Sequence, residues 1–311
     1  MSHEPEDAAV RDFERDGFVI VSGLVPAALC EATVDAFQRD ILPSRAFFKR
    51  QESGAVERHR LTPFGHMKFP IMNIQDLGEP AHASFRQAGL AVLTHPGVRD
   101  TVASLLGRPG RIAHTMFFDG NPQTWAHRDG HYIDAEATGR MVGVLVAVED
   151  IEAGAGRFFV CRGTHRLPDP PDLAAIAEHP NATAYKRHMA RLAEALAPVT
   201  VAPALRRGDA IFWSGLTIHG SLPTTTPEHS RRSLTAHWIP AGERYRWERR
   251  TVGADRWTSF QGIEIARHGS QPGTWAEALR GQLRWQLRRR APALLRQLKA
   301  ARDRLAGGRA G

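Results

Sequence analysis

The residues best suited to chemistry are His127, Asp129 and His219, with Arg231 further on. Two neutral imidazoles and one carboxylate can cap one face of a six-coordinate iron(II) ion and leave the opposite face open. A ferrous ion held in this way keeps positions for a substrate and for dioxygen. In a strand, side chains at i and i+2 share a face, so His127 and Asp129 can reach one metal while Arg128 points away. His219 lies 92 residues after His127, too far for a local metal loop but natural for strands that meet in a closed sheet. The chain contains 15 histidines, so a bare His-x-Asp is a common accident and its surroundings must give it meaning. Duller readings are structural histidines, a turn carboxylate before Gly130, surface arginines at 231 and 232, or a hydrolytic zinc site.

The surroundings form an ordered series. Phe13-Glu14-Arg15-Asp16-Gly17-Phe18-Val19-Ile20-Val21 opens it, followed by a helix expected near Pro26 to Leu42. His114-Thr115-Met116 precedes the string His127-Arg128-Asp129-Gly130-His131-Tyr132. Next come Gly143 to Asp150, Ala155-Gly156-Arg157-Phe158-Phe159-Val160 and Gly163-Thr164-His165. Gly208-Asp209-Ala210-Ile211-Phe212-Trp213 then leads to His219-Gly220-Ser221 and Arg231-Arg232. From about residue 12 to residue 240 this series resembles the phytanoyl-CoA dioxygenase family of iron(II)/2-oxoglutarate oxygenases. There are two departures. Ala155 stands where the family often has Asn, and Arg231 follows His219 by 12 residues, about one more than the family pattern, with Arg232 directly after it.

The resemblance implies iron(II) on His127, Asp129 and His219, with 2-oxoglutarate as cosubstrate and dioxygen as the oxidant. It implies that 2-oxoglutarate chelates the iron through its 2-oxo acid end. The distal carboxylate then needs a cation, and the planar fork of an arginine suits both of its oxygens. Arg231 is the candidate because His237 then keeps the family's spacing to the arginine; Arg232 is the alternative. Ser221 is the candidate hydrogen-bonding helper. Related halogenases replace the carboxylate ligand with a small residue, so Asp129 points to hydroxylation or desaturation. The expected activity is hydroxylation of a small-molecule metabolite with release of succinate and carbon dioxide. Rival functions are an oxygenase acting on a macromolecule through a basic tail, and a non-catalytic jelly-roll binding protein.

These residues need a scaffold. Arg111 to Asp119, Met141 to Asp150, Arg157 to Cys161, Ala210 to Trp213 and Ser233 to Ile239 have strand-like composition. Ala81 to Leu93 and Val98 to Leu106 read as helices, and Leu173 to Leu196 as an Ala-rich helical insertion broken near Pro180. The expected fold is mainly β with helical additions: a double-stranded β-helix, a cupin-like jelly roll whose mouth holds the metal. Trp125, Phe118, Leu145, Trp213, His131 and Tyr132 are candidates for pocket walls or core packing. His165 is expected to secure a turn and His229 to sit in a loop. The bases Arg45, Lys49, Arg50, Arg58, Arg60 and Lys68 are read either as a lid over an anionic substrate or as solvated charge.

The 311 residues are 42% hydrophobic and 24% charged, ordinary for a globular chain with a sizeable core. The apolar run from Met141 to Val148 is far too short to span a membrane, and Met1 to Ala9 has no signal-peptide core. Cys30 and Cys161 form no metal motif and suggest no disulfide framework. A cytoplasmic, reducing location is expected. Ten Arg or Lys stand against two acids from Glu277 to Gly311, which accounts for the whole net charge of +8. The expected organisation is therefore an oxygenase domain over 1–276 and a basic, amphipathic tail over 277–311, broken by Pro292. The tail could make weak contact with an acidic surface; nucleic acid is the less favoured partner.

Overall fold

The computed structural model describes residues 4–50, 56–78, 80–168, 183–247, 250–252 and 256–269, with isolated positions at 276, 279, 280 and 283. Helices α1 (Glu4–Asp16), α2 (Ala27–Ala36), α3 (Ala83–Leu93) and α4 (Pro96–Leu106) precede most of the strands, and α5 (Thr183–Ala195) interrupts them. The helix expected near Pro26 to Leu42 is α2, prolonged by a π turn through Ile41. The chemistry of its ends sets α4. Pro96 pre-forms the first turn, the His95 side chain accepts from the Gly97 amide, and Gly107 ends the helix at φ +69°. The expected insertion from Leu173 is found as α5, and its first part lies outside the described residues.

The strands are β1 (Phe18–Val21), β2 (Phe48–Lys49), β3 (Val56–Glu57), β4 (Ile71–Met72), β5 (Gly110–Phe118), β6 (Ile133–Ala135), β7 (Val142–Ala147) and β8 (Phe158–Cys161). They continue as β9 (Thr200–Val201), β10 (Ala210–Ser214), β11 (His219–Ser221), β12 (Ser233–Pro240), β13 (Tyr245–Trp247), β14 (Arg250–Val252), β15 (Trp257–Phe260) and β16 (Ile263–Ala266). The large sheet runs β1-β10-β7-β12-β5-β16-β15, with β4 paired to β5. Smaller sheets run β11-β8-β9 and β14-β13-β6, and β2 pairs with β3. This mainly β architecture with helices is the expected jelly roll.

Both faces of the large sheet are covered, so its strands read as continuous apolar runs. Alternation still sorts them. Leu234, Ala236 and Trp238 of β12 join Ile112 and Phe117 of β5 in the core against the helices. There the Phe37 ring lies 4.6 Å from Phe117, and Phe85 meets Phe117 edge-on at 5.0 Å. Such ring contacts add about 0.5–1.5 kcal/mol each beyond burial. The alternate residues, His114, Met116 and Phe118 on β5 and Ser233, Thr235 and His237 on β12, face the inside of the roll.

The base-rich segment is partly structural. Arg50 is buried and donates to the Phe69 carbonyl and to His59 Nδ1. His59 Nε2 donates to the Ile41 carbonyl, so this ring is neutral with its proton on Nε2. Burial, and then the Arg50 charge, push the His59 pKa down to about 4, against the opposing pull of the Ile41 hydrogen bond. In the unfolded chain His59 takes up its proton near its ordinary value of about 6.5. Stability from this site is therefore complete above that value and falls as pH drops toward 4, by about 3 kcal/mol in all. Urea midpoints at pH 7 and pH 4.5 should differ more for the natural chain than for His59→Gln. Equal differences would refute this account.

The basic tail over 277–311 lies almost entirely outside the described residues. Among the described residues, no helix is long and apolar enough to cross a membrane.

Candidate metal centre

A backbone bridge brings two of the three ligand candidates together. The His127 amide donates to the His219 carbonyl at 2.9 Å, and the His219 amide donates back at 3.0 Å. His127 thereby extends the edge of the β11-β8-β9 sheet, and the two rings lie 4.3 Å apart. His127 Nδ1 sits 2.8 Å from the Trp125 carbonyl and His219 Nδ1 sits 2.9 Å from the Thr217 carbonyl. A carbonyl only accepts, so both Nδ1 atoms carry the hydrogen and both Nε2 lone pairs are free.

Asp129 is not on a strand, which corrects the expected i, i+2 geometry. Arg128 is extended, but residues Asp129–His131 form a 3-10 turn closed by the Tyr132 amide on the Asp129 carbonyl. The turn still aims the carboxylate correctly. Oδ1 lies 3.4 Å from His127 Nε2 and 3.5 Å from His219 Nε2. Arg128 points away, donating to the Thr164 and Leu167 carbonyls. One donor atom from each of His127, Asp129 and His219 lies within 4.8 Å of the others, and all three residues are buried. Two nitrogen lone pairs and one carboxylate oxygen facing a common point fit a divalent cation such as iron(II).

Electrostatics prepare the site. Burial, then the neighbouring His219, push the His127 pKa below its ordinary value, favouring the neutral ligand form. Burial alone would neutralise Asp129. The neighbouring His219 and His237 outweigh it and hold the carboxyl well below its ordinary value. The second oxygen, Oδ2, accepts from Trp213 Nε1 at 2.8 Å and lies 3.3 Å from His237 Nε2.

Trp213, expected to shape a pocket or pack the core, therefore also orients the carboxylate of a ligand candidate. Its place depends on Gly143, where a Cβ would lie 2.2 Å from the indole ring. Gly143→Ala should displace the indole, free Oδ2 and weaken iron(II) binding about 10–100-fold, the usual cost of losing a hydrogen bond behind a ligand. A calorimetric iron titration unchanged by Gly143→Ala would contradict this.

The two candidate arginines are in different situations. Arg232 is engaged with two carboxylates, Asp119 Oδ1 at 2.9 Å and Glu149 Oε2 at 3.2 Å. Arg231 is 3% exposed and faces no carboxylate among the described residues. It donates to Asn121 Oδ1 at 3.1 Å, its guanidinium lies 5.1 Å from the Phe118 ring, and burial pushes its pKa down to about 10. Ser221 Oγ donates to the same Asn121 oxygen at 2.8 Å. Asn121 went unnoticed in the sequence. The only hint was Gly156, in the turn already singled out, where a Cβ would lie 1.9 Å from Asn121 Nδ2.

The sequence profile of the phytanoyl-CoA dioxygenase (PhyH) family matches residues 13–233. The chain belongs to the phytanoyl-CoA dioxygenase family. As a member it is an enzyme of the iron- and 2-oxoglutarate-dependent class, and its buried His-Asp-His cluster is consistent with that class. Among solved structures, the epimerase SnoN in complex with Fe3+, alpha ketoglutarate and nogalamycin RO is similar at 21% identity and TM-score 0.58, covering 88% of this chain and 98% of SnoN. EctD from S. alaskensis with 2-oxoglutarate and 5-hydroxyectoine is similar at 18% identity and TM-score 0.53, covering 88% of this chain and 86% of EctD. The carbocyclase SnoK from nogalamycin biosynthesis is similar at 16% identity and TM-score 0.51, covering 79% of this chain and 87% of SnoK. These likenesses establish a shared fold. A search of curated protein sequences gave no match.

The remaining candidates fall around this family core. Trp125 and Tyr132 approach the His127 ring at 5.3 and 5.8 Å, and His131 hydrogen-bonds Tyr185 of α5. Leu145 packs in the core with Phe18, Phe158 and Trp213. Phe118 joins Met72 and Met116, with Trp247 packed against them. Lys68 is exposed beside Phe69. His165 follows the Gly163 turn and reaches the Glu14 carbonyl, as a turn residue should, and His229 sits in a loop.

Proposed function

We propose that this chain is an iron(II)- and 2-oxoglutarate-dependent dioxygenase that hydroxylates a small-molecule metabolite and releases succinate and carbon dioxide. The observation that carries the reading is Arg231, a buried guanidinium with no carboxylate partner among the described residues, set beside Ser221 two residues past the ligand candidate His219. A buried cation is costly unless paired, so this position calls for an incoming carboxylate. Arg231 and Ser221 would receive the distal carboxylate of 2-oxoglutarate, both turning from Asn121 toward it.

Iron(II) would be held by His127 Nε2, His219 Nε2 and Asp129 Oδ1. When bound, it supplies the site where 2-oxoglutarate and dioxygen are converted to oxidising power. The chain's own residues prepare that event. The Trp125 and Thr217 carbonyls fix both histidine tautomers, and Trp213 and His237 occupy Asp129 Oδ2 so that Oδ1 faces the metal. Asp129 also fills the position that a halide would need, which favours hydroxylation. The apolar cluster of Met72, Met116 and Phe118, with Trp247 packed against them, would suit an organic molecule of modest size. The small molecules named with SnoN and EctD agree with that class of substrate.

The deciding experiment is anaerobic. Iron(II) and then 2-oxoglutarate are added to the purified chain and the visible spectrum is recorded. A weak charge-transfer band, with succinate formed once air is admitted, is the expected result. Iron binding without that band would overturn the proposal.

A further inference from the structure

Two unusual backbone features converge on one amide, that of Asn121. Its Oδ1 accepts from the Gln123 backbone amide at 3.0 Å, closing a turn over Pro122, and Gln123 takes a φ of 55°, a left-handed backbone uncommon outside glycine. Its Nδ2 donates to the Leu222 carbonyl at 2.8 Å and to Thr224 Oγ1 at 2.9 Å. The amide seats against Gly156, at φ +82°, where a Cβ would lie 1.9 Å from Nδ2 and 2.9 Å from the Leu222 carbonyl oxygen. A backbone N–H only donates and a carbonyl only accepts, so the two main-chain partners fix which end of the amide is the oxygen.

That oxygen collects three donors: the Gln123 amide, Ser221 Oγ at 2.8 Å and Arg231 Nη1 at 3.1 Å. Only the first is needed for the turn. The other two are the groups set aside above for a carboxylate. Among the described residues the Nη1 bond is the only hydrogen bond of the Arg231 side chain, so Nε and Nη2 are held at one corner and left open. Those two nitrogens form a parallel fork of the kind that pairs with a carboxylate. The contrast with Arg232 is instructive. Asp119 and Glu149 neutralise Arg232, whereas a neutral amide oxygen orients Arg231 and leaves its charge available.

We propose that Asn121 is a positioning residue for the cosubstrate: its oxygen holds the Ser221 hydroxyl and the Arg231 guanidinium side by side and uncompensated until a carboxylate arrives. The proposal rests on the oxygenase reading, in which that carboxylate is the distal end of 2-oxoglutarate. The Ser221 hydroxyl has a single hydrogen and leaves Asn121 for the incoming oxygen. Arg231 turns its open fork to the same group. The Gln123 amide stays on Oδ1 throughout, so the exchange strands no acceptor.

The test pairs two measurements on the full chain. One is the titration of the iron(II)-loaded protein with 2-oxoglutarate, followed by the charge-transfer band. The other is the side-chain ¹H–¹⁵N spectrum of the iron-free protein, with Arg231 assigned through Arg231→Gln. Asn121→Asp places a carboxylate on the guanidinium. It should weaken 2-oxoglutarate binding at least about thirtyfold, the lower end for a buried charge pair, and leave iron(II) binding unchanged. In the Arg231→Gln background the same substitution should change the affinity by less than about twofold, because its effect runs through that cation. Asn121→Ala removes the oxygen without adding charge. It should weaken binding about three- to tenfold and move the Arg231 Nη resonances of the iron-free chain. Equal titrations of the natural chain and Asn121→Asp, equal losses in both backgrounds, or Arg231 resonances unmoved by Asn121→Ala would overturn the proposal. Failure of the oxygenase reading is separate: it is a natural chain that binds iron(II) without the band, and the iron-free resonances then still decide whether Asn121 holds Arg231.

Discussion

His127→Ala should abolish iron(II) binding at micromolar metal and lower 2-oxoglutarate turnover by at least about a thousandfold. Loss of a mere hydrogen bond behind a ligand costs about 10–100-fold, and here a ligand itself is removed. The apo fold should survive. The bridge that aligns residue 127 with His219 is made by backbone atoms, and alanine keeps them. The variant also relieves the crowding of two buried rings 4.3 Å apart. The informative result is therefore a pair of measurements: no charge-transfer band in the anaerobic titration, with an apo Tm equal to or above that of the natural chain. Stoichiometric iron binding by His127→Ala would remove this residue from the metal site.

The second large effect is a crossed pattern at the adjacent arginines. Arg231→Gln should raise the KM for 2-oxoglutarate about a hundredfold or more, since cutting one partner of a buried charge pair costs about 2–5 kcal/mol. It should leave the apo protein as stable or more so, because it removes a buried cation that has no carboxylate partner among the described residues. Arg232→Gln should do the reverse. It strips Asp119 and Glu149 of their shared cation and should destabilise the fold by about 2–3 kcal/mol, below the range for fully buried pairs because Arg232 and Glu149 keep some water contact. Its KM for 2-oxoglutarate should stay within about threefold of the natural value. Urea unfolding and initial rates on both variants decide the matter. If Arg232→Gln carried the KM effect, the two roles would be exchanged.

What the sequence revealed and what it hid divide along the range of the interactions. His127 and Asp129 were legible because they are two residues apart, and His219 because an ordered series of family motifs led to it. Strand composition located β5, β7, β8, β10 and β12 to within a few residues, since apolar runs bounded by glycine and charge are local signals. The expected strand geometry at Asp129 gave way to a turn, because the Tyr132 amide closes on it and the carboxylate needs only to arrive between two imidazoles. Choosing between Arg231 and Arg232 depended on Asp119 and Glu149, more than eighty residues away. Asn121 and the Trp213–Asp129 bond were invisible for the same reason. Each joins residues far apart in the chain, and the glycines that make room for them look like any other glycine until the fold is in place.

The bridge between His127 and His219 has a consequence for how this protein can change. The two ligand candidates are fastened to each other by their own main chain, so the long excursion between them, from Arg128 round to Ile218, hangs from a closed clasp. Segments on that excursion such as α5 can lengthen, shorten or exchange side chains without spreading the imidazoles apart. The spacing of the two imidazoles is thereby insulated from changes of length in such segments, and the chain can be altered there while the two histidines stay in register.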